Sequence, residues 1–439
     1  MLYDRGRLVV PNLKDETMEF IDEKEPITGG ASSILRDAKS DTCRPRPYPQ
    51  VIKYMGSKAA ILEFIGEAMS HVHADGRPIV DLFAGACAIS GGFGHIGKVI
   101  SNDIQEYSAV IASTYLKRAE KIGQFDLVSL ASKIAVANLA ALPEDLDYPP
   151  ALSLAAFNKL EKRNQLLLYK DFTYTHHLFT RVYSGTWWSA EQCVWIDAFR
   201  EVLDALHDSQ QIELADFNFG LTCLMHAMAY TSQGTGHYAQ YRDAKTELGM
   251  ADICKYRRAS VPAIFERKFG TLLAWNLENV VDNEHKLVAM DYRDCLANLP
   301  PSIVYADPPY AFVHYSRFYH AMETIVKYDY PEIQHIGGKV VKGRYRSERH
   351  QSPFCIKTQV KGAFIDLFDG VRKSKSDLLL SYSNTGMIDI EQLMQLATAT
   401  LGSQYDVWFE HMNHTHMTMG RRADRSREVT ESLIIAKCR

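Results

Sequence analysis

The run Ile303-Val304-Tyr305-Ala306-Asp307-Pro308-Pro309-Tyr310 constrains the fold more than any other stretch, because a short apolar segment stops abruptly at an acid followed by two prolines. Consecutive prolines fix φ and supply no backbone N–H, so neither a helix nor a central strand continues through them. The run is a short buried strand, and Asp307 and Tyr310 sit on a stiff turn at its carboxyl end, where open α/β sheets keep their chemistry. A carboxylate beside an aromatic plate suits a planar ring bearing an amino group, with the ring face on the tyrosine and the NH2 donating to the acid.

The same layout recurs upstream. Pro78-Ile79-Val80-Asp81-Leu82-Phe83-Ala84-Gly85-Ala86 is a strand that breaks at Gly85 into small residues and a helix, and Lys98-Val99-Ile100-Ser101-Asn102-Asp103 is a second strand ending in an acid. An acid about 20 residues beyond the first strand's end is the pattern of a mononucleotide-binding βαβ unit. Ahead of it, Lys53-Tyr54-Met55-Gly56-Ser57-Lys58 is a polar loop before a helix in which Ile61, Leu62, Ile65 and Met69 recur at helical spacing. Strand character returns at HKLVAMDYRDCL, where Asp291 ends an apolar run, at SIVYADPPY, and at 378–382, 405–409 and 432–436. Residues 117–285 differ, with long polar helical patterns, aromatic segments such as Trp187-Trp188, and no strand–turn–helix signature.

The predicted fold class is α/β, a Rossmann-like sheet with helices on both faces, interrupted by a mostly helical insertion. An irregular arm at 1–45 precedes a first catalytic part at 46–116, the insertion at 117–285 and a second catalytic part at 286–439. At 439 residues and 46% hydrophobic the chain exceeds what one core requires. No apolar run reaches the ~18 residues of a membrane span, and the amino-terminal residues lack the apolar core of a signal peptide, which predicts a soluble, cytoplasmic protein without membrane association. Eight scattered cysteines without a C-x-x-C pair predict reduced thiols, no disulfide and no zinc. His411, His414 and His416 alternate without Cys or Glu partners, and no metal is expected.

A net charge of −4 neither demands nor excludes a polyanionic partner, so local charge decides. Basic residues concentrate at about 338–375, after the Pro-Pro turn, and Lys339, Lys342, Arg344, Arg346 and Arg349 are candidate phosphate contacts. A second cluster, Arg421, Arg422, Arg425 and Arg427, is balanced by Asp424, Glu428 and Glu431 and carries less weight. In the glycine-punctuated stretch 232–242, Gln233, His237, Tyr238, Gln240 and Arg242 offer groups that read base edges and phosphates. Trp187, Trp188 and Trp195 are expected to be core of the insertion rather than base-stacking platforms.

The order KYMGSK, DLFAGA, SND, AMDYRD, DPPY resembles that of the Dam-like, alpha-ordered (class D12) DNA adenine-N6 methyltransferases, over roughly 50–115 and 285–439. The resemblance implies S-adenosylmethionine as cofactor, S-adenosylhomocysteine as product, double-stranded DNA as partner, and a monomer with, in some systems, a separately encoded restriction endonuclease as companion. It implies that Lys53, Tyr54, Gly56 and Lys58 line the methionine end of the cofactor, that Asp81, Phe83 and Gly85 form its turn, that Asp103 accepts from the ribose hydroxyls and Asp291 from the cofactor's adenine, and that Phe318 packs nearby. Asp307 and the carbonyl of Pro308 would accept from the target N6, Pro309 would stiffen the turn, Tyr310 would stack on a flipped adenine, and 381–384 would rim its pocket. The insertion would choose the sequence. Where the family has a second glycine, this chain has Cys87, expected as small core filler. The rival readings are a ribosomal RNA guanine-N2 methyltransferase and a non-catalytic DNA-binding protein.

Overall fold

Each apolar run that ends in an acid forms a strand, and the acids gather because those strands lie side by side. The structure, a computed structural model, describes residues 43–72, 76–234, 236–281, 283–309, 314–383, 386–417 and 426–439, with backbone alone at 413–417 and 426–430. The amino-terminal arm up to residue 42, Tyr310, Asn384, and Arg421, Arg422 and Arg425 lie outside the described residues, as do the side chains of His414, His416, Arg427 and Glu428.

The strands are β1 (Ile79–Asp81), β2 (Val99–Asp103), β3 (Lys286–Ala289), β4 (Ile303–Ala306), the hairpin pair β5 (His335–Ile336) and β6 (Lys339–Val340), β7 (Asp377–Ser383), β8 (Tyr405–Met417) and β9 (Ser426–Cys438). Seven of them form one sheet in the order β3-β2-β1-β4-β7-β9-β8. The first five are parallel, and β9 runs antiparallel between β7 and β8. Sequence alternation marks only 405–409 and 432–436, yet the β8–β9 ribbon continues to the pair Met417↔Ser426. Backbone pairing carries it past the buried residues that pattern alone can detect.

Alternate strand residues enter two different cores. Ile79, Ile303, Leu379 and Ile435 face one apolar cluster, while Val80, Val304, Leu378 and Ile434 face the other. A sheet buried on both faces accounts for the near-continuous apolar runs. Helices α1 (Leu62–Ser70), α2 (Ala88–Phe93) and α3 (Glu106–Leu116) cover the first face. Residues 117–285 hold α4 (Leu127–Ala140), α5 (Leu154–Gln165), α6 (Leu178–Tyr183), α7 (Ala190–Asp208), α8 (Leu214–Thr231), α9 (Glu247–Arg257) and α10 (Val261–Asn279). Ser, Thr and Asp side chains cap most of these amino termini, as Ser189 does with Gln192 in a capping box on α7. Then follow α11 (Tyr292–Ala297), α12 (Tyr315–Phe318), α13 (His320–Lys327), α14 (Val360–Lys373) and α15 (Ile390–Leu401), of which α11, α14 and α15 cover the second face.

The insertion shares the first-face core and adds two small clusters of its own, one around Phe157 and Ile253 and one around Leu146 and Leu167. Trp187 and Trp188 are fully buried in that cluster, with Trp195 packed against it, in keeping with their expected core role. Asn276 of α10 fastens the turn after α3, accepting from Ala119 N at 2.9 Å and donating to the carbonyls of Thr114 and Lys117. Asp197 of α7 is wholly buried and accepts from Phe179 N, Thr180 N, Thr180 Oγ1 and Tyr328 Oη, at 2.9, 2.8, 2.7 and 2.6 Å. Tyr328 closes α13, so this carboxylate joins the insertion to the second catalytic part. Asp197→Ala strands three buried donors and a half-buried tyrosine hydroxyl and is expected to cost about 3 kcal/mol or more in urea unfolding, with Asp197→Asn losing less. Unfolding midpoints within error of wild type would contradict this structural role.

Candidate active site

Strand order reverses between β1 and β4. The chain passes from β1 to β2 on one side and reaches β4 and β7 on the other, so a crevice opens beyond their carboxyl ends. Asp81 and Asp307 project from those ends, and Asp103 and Asp291 from the ends of β2 and β3. All four line one cavity together with Tyr54, Gly56 and Lys58.

The turn after β1 is built for close approach. Gly85 has φ +51°, and a Cβ there would come within 2.9 Å of the Tyr54 ring. Its N–H donates to Asp103 Oδ2 at 2.9 Å, while Asp103 Oδ1 accepts from Gln105 N, also at 2.9 Å. Burial pushes the Asp103 carboxyl up to about 6, the backbone donors opposing it. Cys87 follows at φ +63°, in the left-handed region that favours glycine, and this explains the glycine of the related pattern. Its fully buried thiol donates to Ser108 O at 3.1 Å, which fits the expected filler role.

The 53–58 loop forms the facing wall. Tyr54 stacks on Tyr319, with centroids 4.4 Å apart and planes at 15°, and its hydroxyl meets that of Tyr107 at 3.3 Å. Met55 N donates to Tyr319 Oη at 2.8 Å. Lys58 is buried and reaches across the cavity, its Nζ 3.3 Å from Asp307 Oδ1 and 3.4 Å from Glu431 Oε1. Lys53 departs from expectation: it is exposed, its ammonium lies over the Tyr230 ring, and it is not part of the cavity wall.

Asp307 is held by Pro308 and Pro309, both on the cavity wall. Burial raises its carboxyl to about 7, with Lys58 opposing the rise and Glu431 adding to it. Despite the ion-pair contact, no hydrogen bond reaches Asp307 Oδ1 among the described residues. Asp81 Oδ2 is likewise buried without a hydrogen bond, and burial together with Asp103 and Asp307 drives that carboxyl well above its ordinary range. Asp291 caps α11, accepting from Arg293 N at 2.9 Å. Nearby, Phe83 packs against Tyr292 and Phe354, at 5.7 and 5.5 Å between centroids, and gives that end of the cavity an aromatic side.

Several expected contacts lie elsewhere. Phe318 is not on the cavity wall. It packs on His237 at 4.6 Å, and Tyr315, at the start of the same helix, takes the wall position instead. In the 232–242 stretch, Gln233, His237 and Tyr238 are buried. Gln233 is wholly buried, its Nε2 donating to the Thr186 carbonyl and its backbone N–H to that of Trp187, so burial keeps it from a base edge. Arg242 pairs with Asp252 at 2.6 Å, and Gln240 alone of the five is exposed. In the basic segment Arg344 is buried, Arg346 grips Asp329 through two hydrogen bonds of 2.7 and 2.6 Å, and Arg349 binds Gln334 and the Arg346 carbonyl. Arg346 and Arg349 are thus held within the fold, whereas Lys339 and Lys342 stay exposed, Lys342 in a surface pair with Asp243. Ser381, Tyr382 and Ser383 are buried within β7 and do not line the cavity.

Sequence reading missed Tyr107, Tyr315 and above all Glu431, taken there as one of the acids balancing the second basic cluster. Glu431 has the inward parity of Leu433 and Ile435 on β9 and is only 3% exposed. An acid in that apolar row was the available signal.

Among the described residues no helix is long and apolar enough to cross a membrane, and no group of three metal-ligating side chains is present. Residues 54–247 match the family of D12 class N6 adenine-specific DNA methyltransferases. The chain is 24% identical over 348 residues to modification methylase LlaI of Lactococcus lactis subsp. lactis, covering 79% of this chain and 48% of that protein. It is 26% identical over 353 residues to type II methyltransferase M.FokI of Planomicrobium okeanokoites, covering 78% and 46%. With type II methyltransferase M.NlaIII of Neisseria lactamica it shares 21% over 351 residues, covering 79% and 87%. It thus spans about half the length of the first two. Motif order, sheet order and this match agree: over residues 54–247 the chain is similar to the D12 class N6 adenine-specific DNA methyltransferases.

Proposed function

We propose that this protein transfers a methyl group from S-adenosylmethionine to N6 of an adenine in double-stranded DNA, at a specific sequence. One observation carries the reading: the acid of the Asp-Pro-Pro turn and the acids of the β1 and β2 turns open on a single cavity, and Asp307 Oδ1 is there without a hydrogen bond.

The residues fit the cofactor. Asp81 Oδ2 is a buried acceptor in need of a donor, such as the ammonium of a methionine moiety. Gly85 leaves room that a side chain would fill, Asp103 stands where ribose hydroxyls would donate, and Phe83 offers a ring face to an adenine beside Asp291. When bound, S-adenosylmethionine supplies an electrophilic methyl group on a sulfonium. Asp307 and the Pro308 carbonyl would accept the two N6–H groups, draw the nitrogen lone pair out of the ring, and complement the positive charge that moves onto N6.

In a duplex N6 lies within the stack, so the base must rotate out at a cost of a few kcal/mol. Stacking on Tyr310, on the order of 1–3 kcal/mol, would offset part of that cost. DNA grip falls to exposed groups: Lys339 and Lys342 around the Gly337-Gly338 hairpin, and Gln240 in the insertion. The insertion at 117–285 would read sequence. The relatives' names, modification methylase and type II methyltransferase, support an intracellular role in DNA modification beside a companion endonuclease.

Asp307→Ala is expected to lower single-turnover methyl transfer by about 100-fold or more while cofactor affinity stays near wild type. Near-wild-type transfer would sink the assignment. Asp103→Ala should do the reverse, weakening cofactor binding about 10- to 100-fold through lost charge-assisted hydrogen bonds, as read by calorimetry. Lys339→Ala and Lys342→Ala should each flatten the salt dependence of DNA binding by about 0.9 in log–log slope on cognate and random duplex alike. A change in site preference at unchanged slope would move that hairpin to the recognition surface.

A further inference from the structure

Glu431 stands 373 positions from Lys58 in the chain, yet the two meet at 3.4 Å in the interior. Lys58 is 6% exposed and Glu431 3%. The ammonium lies almost equally close to Asp307 Oδ1, at 3.3 Å, so one buried cation is shared by two carboxylates that arrive from β4 and β9. Glu431 is itself oriented from a third strand, its Oε2 accepting from Ser381 Oγ of β7 at 3.5 Å.

We propose that Glu431 is a positioning residue for methyl transfer: by taking a share of the Lys58 ammonium, it keeps Asp307 from forming an exclusive ion pair and leaves the Asp307 carboxylate free to accept from the target amine. This deepens the adenine-N6 reading above and rests on it.

A lysine committed to Asp307 alone would hold that carboxylate in an aligned ion pair and lower its basicity. Sharing prevents this. The second carboxylate orients the ammonium between the two acids, and the observed geometry agrees, since Nζ stands 3.3 Å from Asp307 Oδ1 and donates to Glu431 Oε1 at 3.4 Å. In the reaction the amine nitrogen forms a bond to the methyl carbon with its lone pair, the carbon–sulfur bond breaks with both electrons left on sulfur, and the proton shed by the amine passes to Asp307 and on to solvent. An Asp307 with reduced basicity is a poorer acceptor for that proton. The charged and titratable groups facing Asp307 are Lys58 from the 53–58 loop, Glu431 from β9, Asp81 from β1 and the Tyr305 phenol from β4. Of these, Glu431 shares the lysine.

The test compares wild type with Glu431→Gln in single-turnover methylation of duplex DNA as a function of pH, alongside calorimetric binding of S-adenosylhomocysteine. In wild type the rate falls as pH drops through about 7, because the ionised Asp307 is the working form. In Glu431→Gln the lysine acts on Asp307 alone, so the acid limb should move down by on the order of one pH unit, and the plateau rate should fall about tenfold. S-adenosylhomocysteine affinity should hold within about twofold, since no cofactor contact is altered. Should Glu431→Gln fail to fold, Glu431→Asp keeps the charge on a shorter arm and must displace the limb in the same direction by less. A superimposable pH profile in the folded variant overturns the proposal, and so does an unchanged limb with weakened S-adenosylhomocysteine binding, which would put Glu431 on the cofactor side. A wild-type protein that methylates no adenine overturns the functional reading itself, and that outcome is seen before any variant is made.

Discussion

The buried ammonium of Lys58 is the contact on which the site's arrangement depends. Asp81, Asp103 and Asp307 crowd one cavity, and like charges at that spacing in a poorly solvated place repel one another. Burial pushes all three carboxyls upward, and Lys58 is the cation that opposes this at Asp307. It does so from the far end of the chain's catalytic part, on a loop anchored by the Tyr54–Tyr319 stack and by the Met55 N–H on Tyr319. That stack ties the loop to the α12–α13 corner, so the cation, the acid and the following helices form one mechanical unit.

The sheet explains why such crowding arises. Because strand order reverses between β1 and β4, the carboxyl ends of adjacent strands face a common crevice and each acid-ended run contributes one carboxylate. The antiparallel β9 then brings Glu431 in beside β7, so a fifth carboxylate arrives with opposite strand polarity. The insertion leaves that geometry intact because it packs on the first sheet face through α3 and α8 and is pinned by Asn276 and Asp197.

Much of this was legible in sequence wherever the determining contacts are local. A run that ends in acid and proline can only be a strand end, and a stretch with helical period and no strand signature can only be helical. What escaped depends on partners remote in sequence. Arg346 reads as a solvated cation until Asp329 is seen to hold it, and Gln233 reads as a base-edge reader until it is seen wholly buried, its side-chain amide N–H on the carbonyl of residue 186. Phe318 was three positions from the mark, since Tyr315 at the start of the same short helix lines the cavity instead. Glu431 could have been suspected from its inward parity, but its partner lies hundreds of residues away, and alternation alone names no partner.

The central claim is that these carboxylates converge to methylate an exocyclic amine of adenine. It is tested most directly by incubating the protein with S-adenosylmethionine labelled on the methyl group and duplex DNA, then digesting to nucleosides and locating the label. The account predicts label in N6-methyladenine, confined to one sequence context. Label in a nucleoside other than N6-methyladenine, or cofactor bound but no label transferred to DNA, would contradict it.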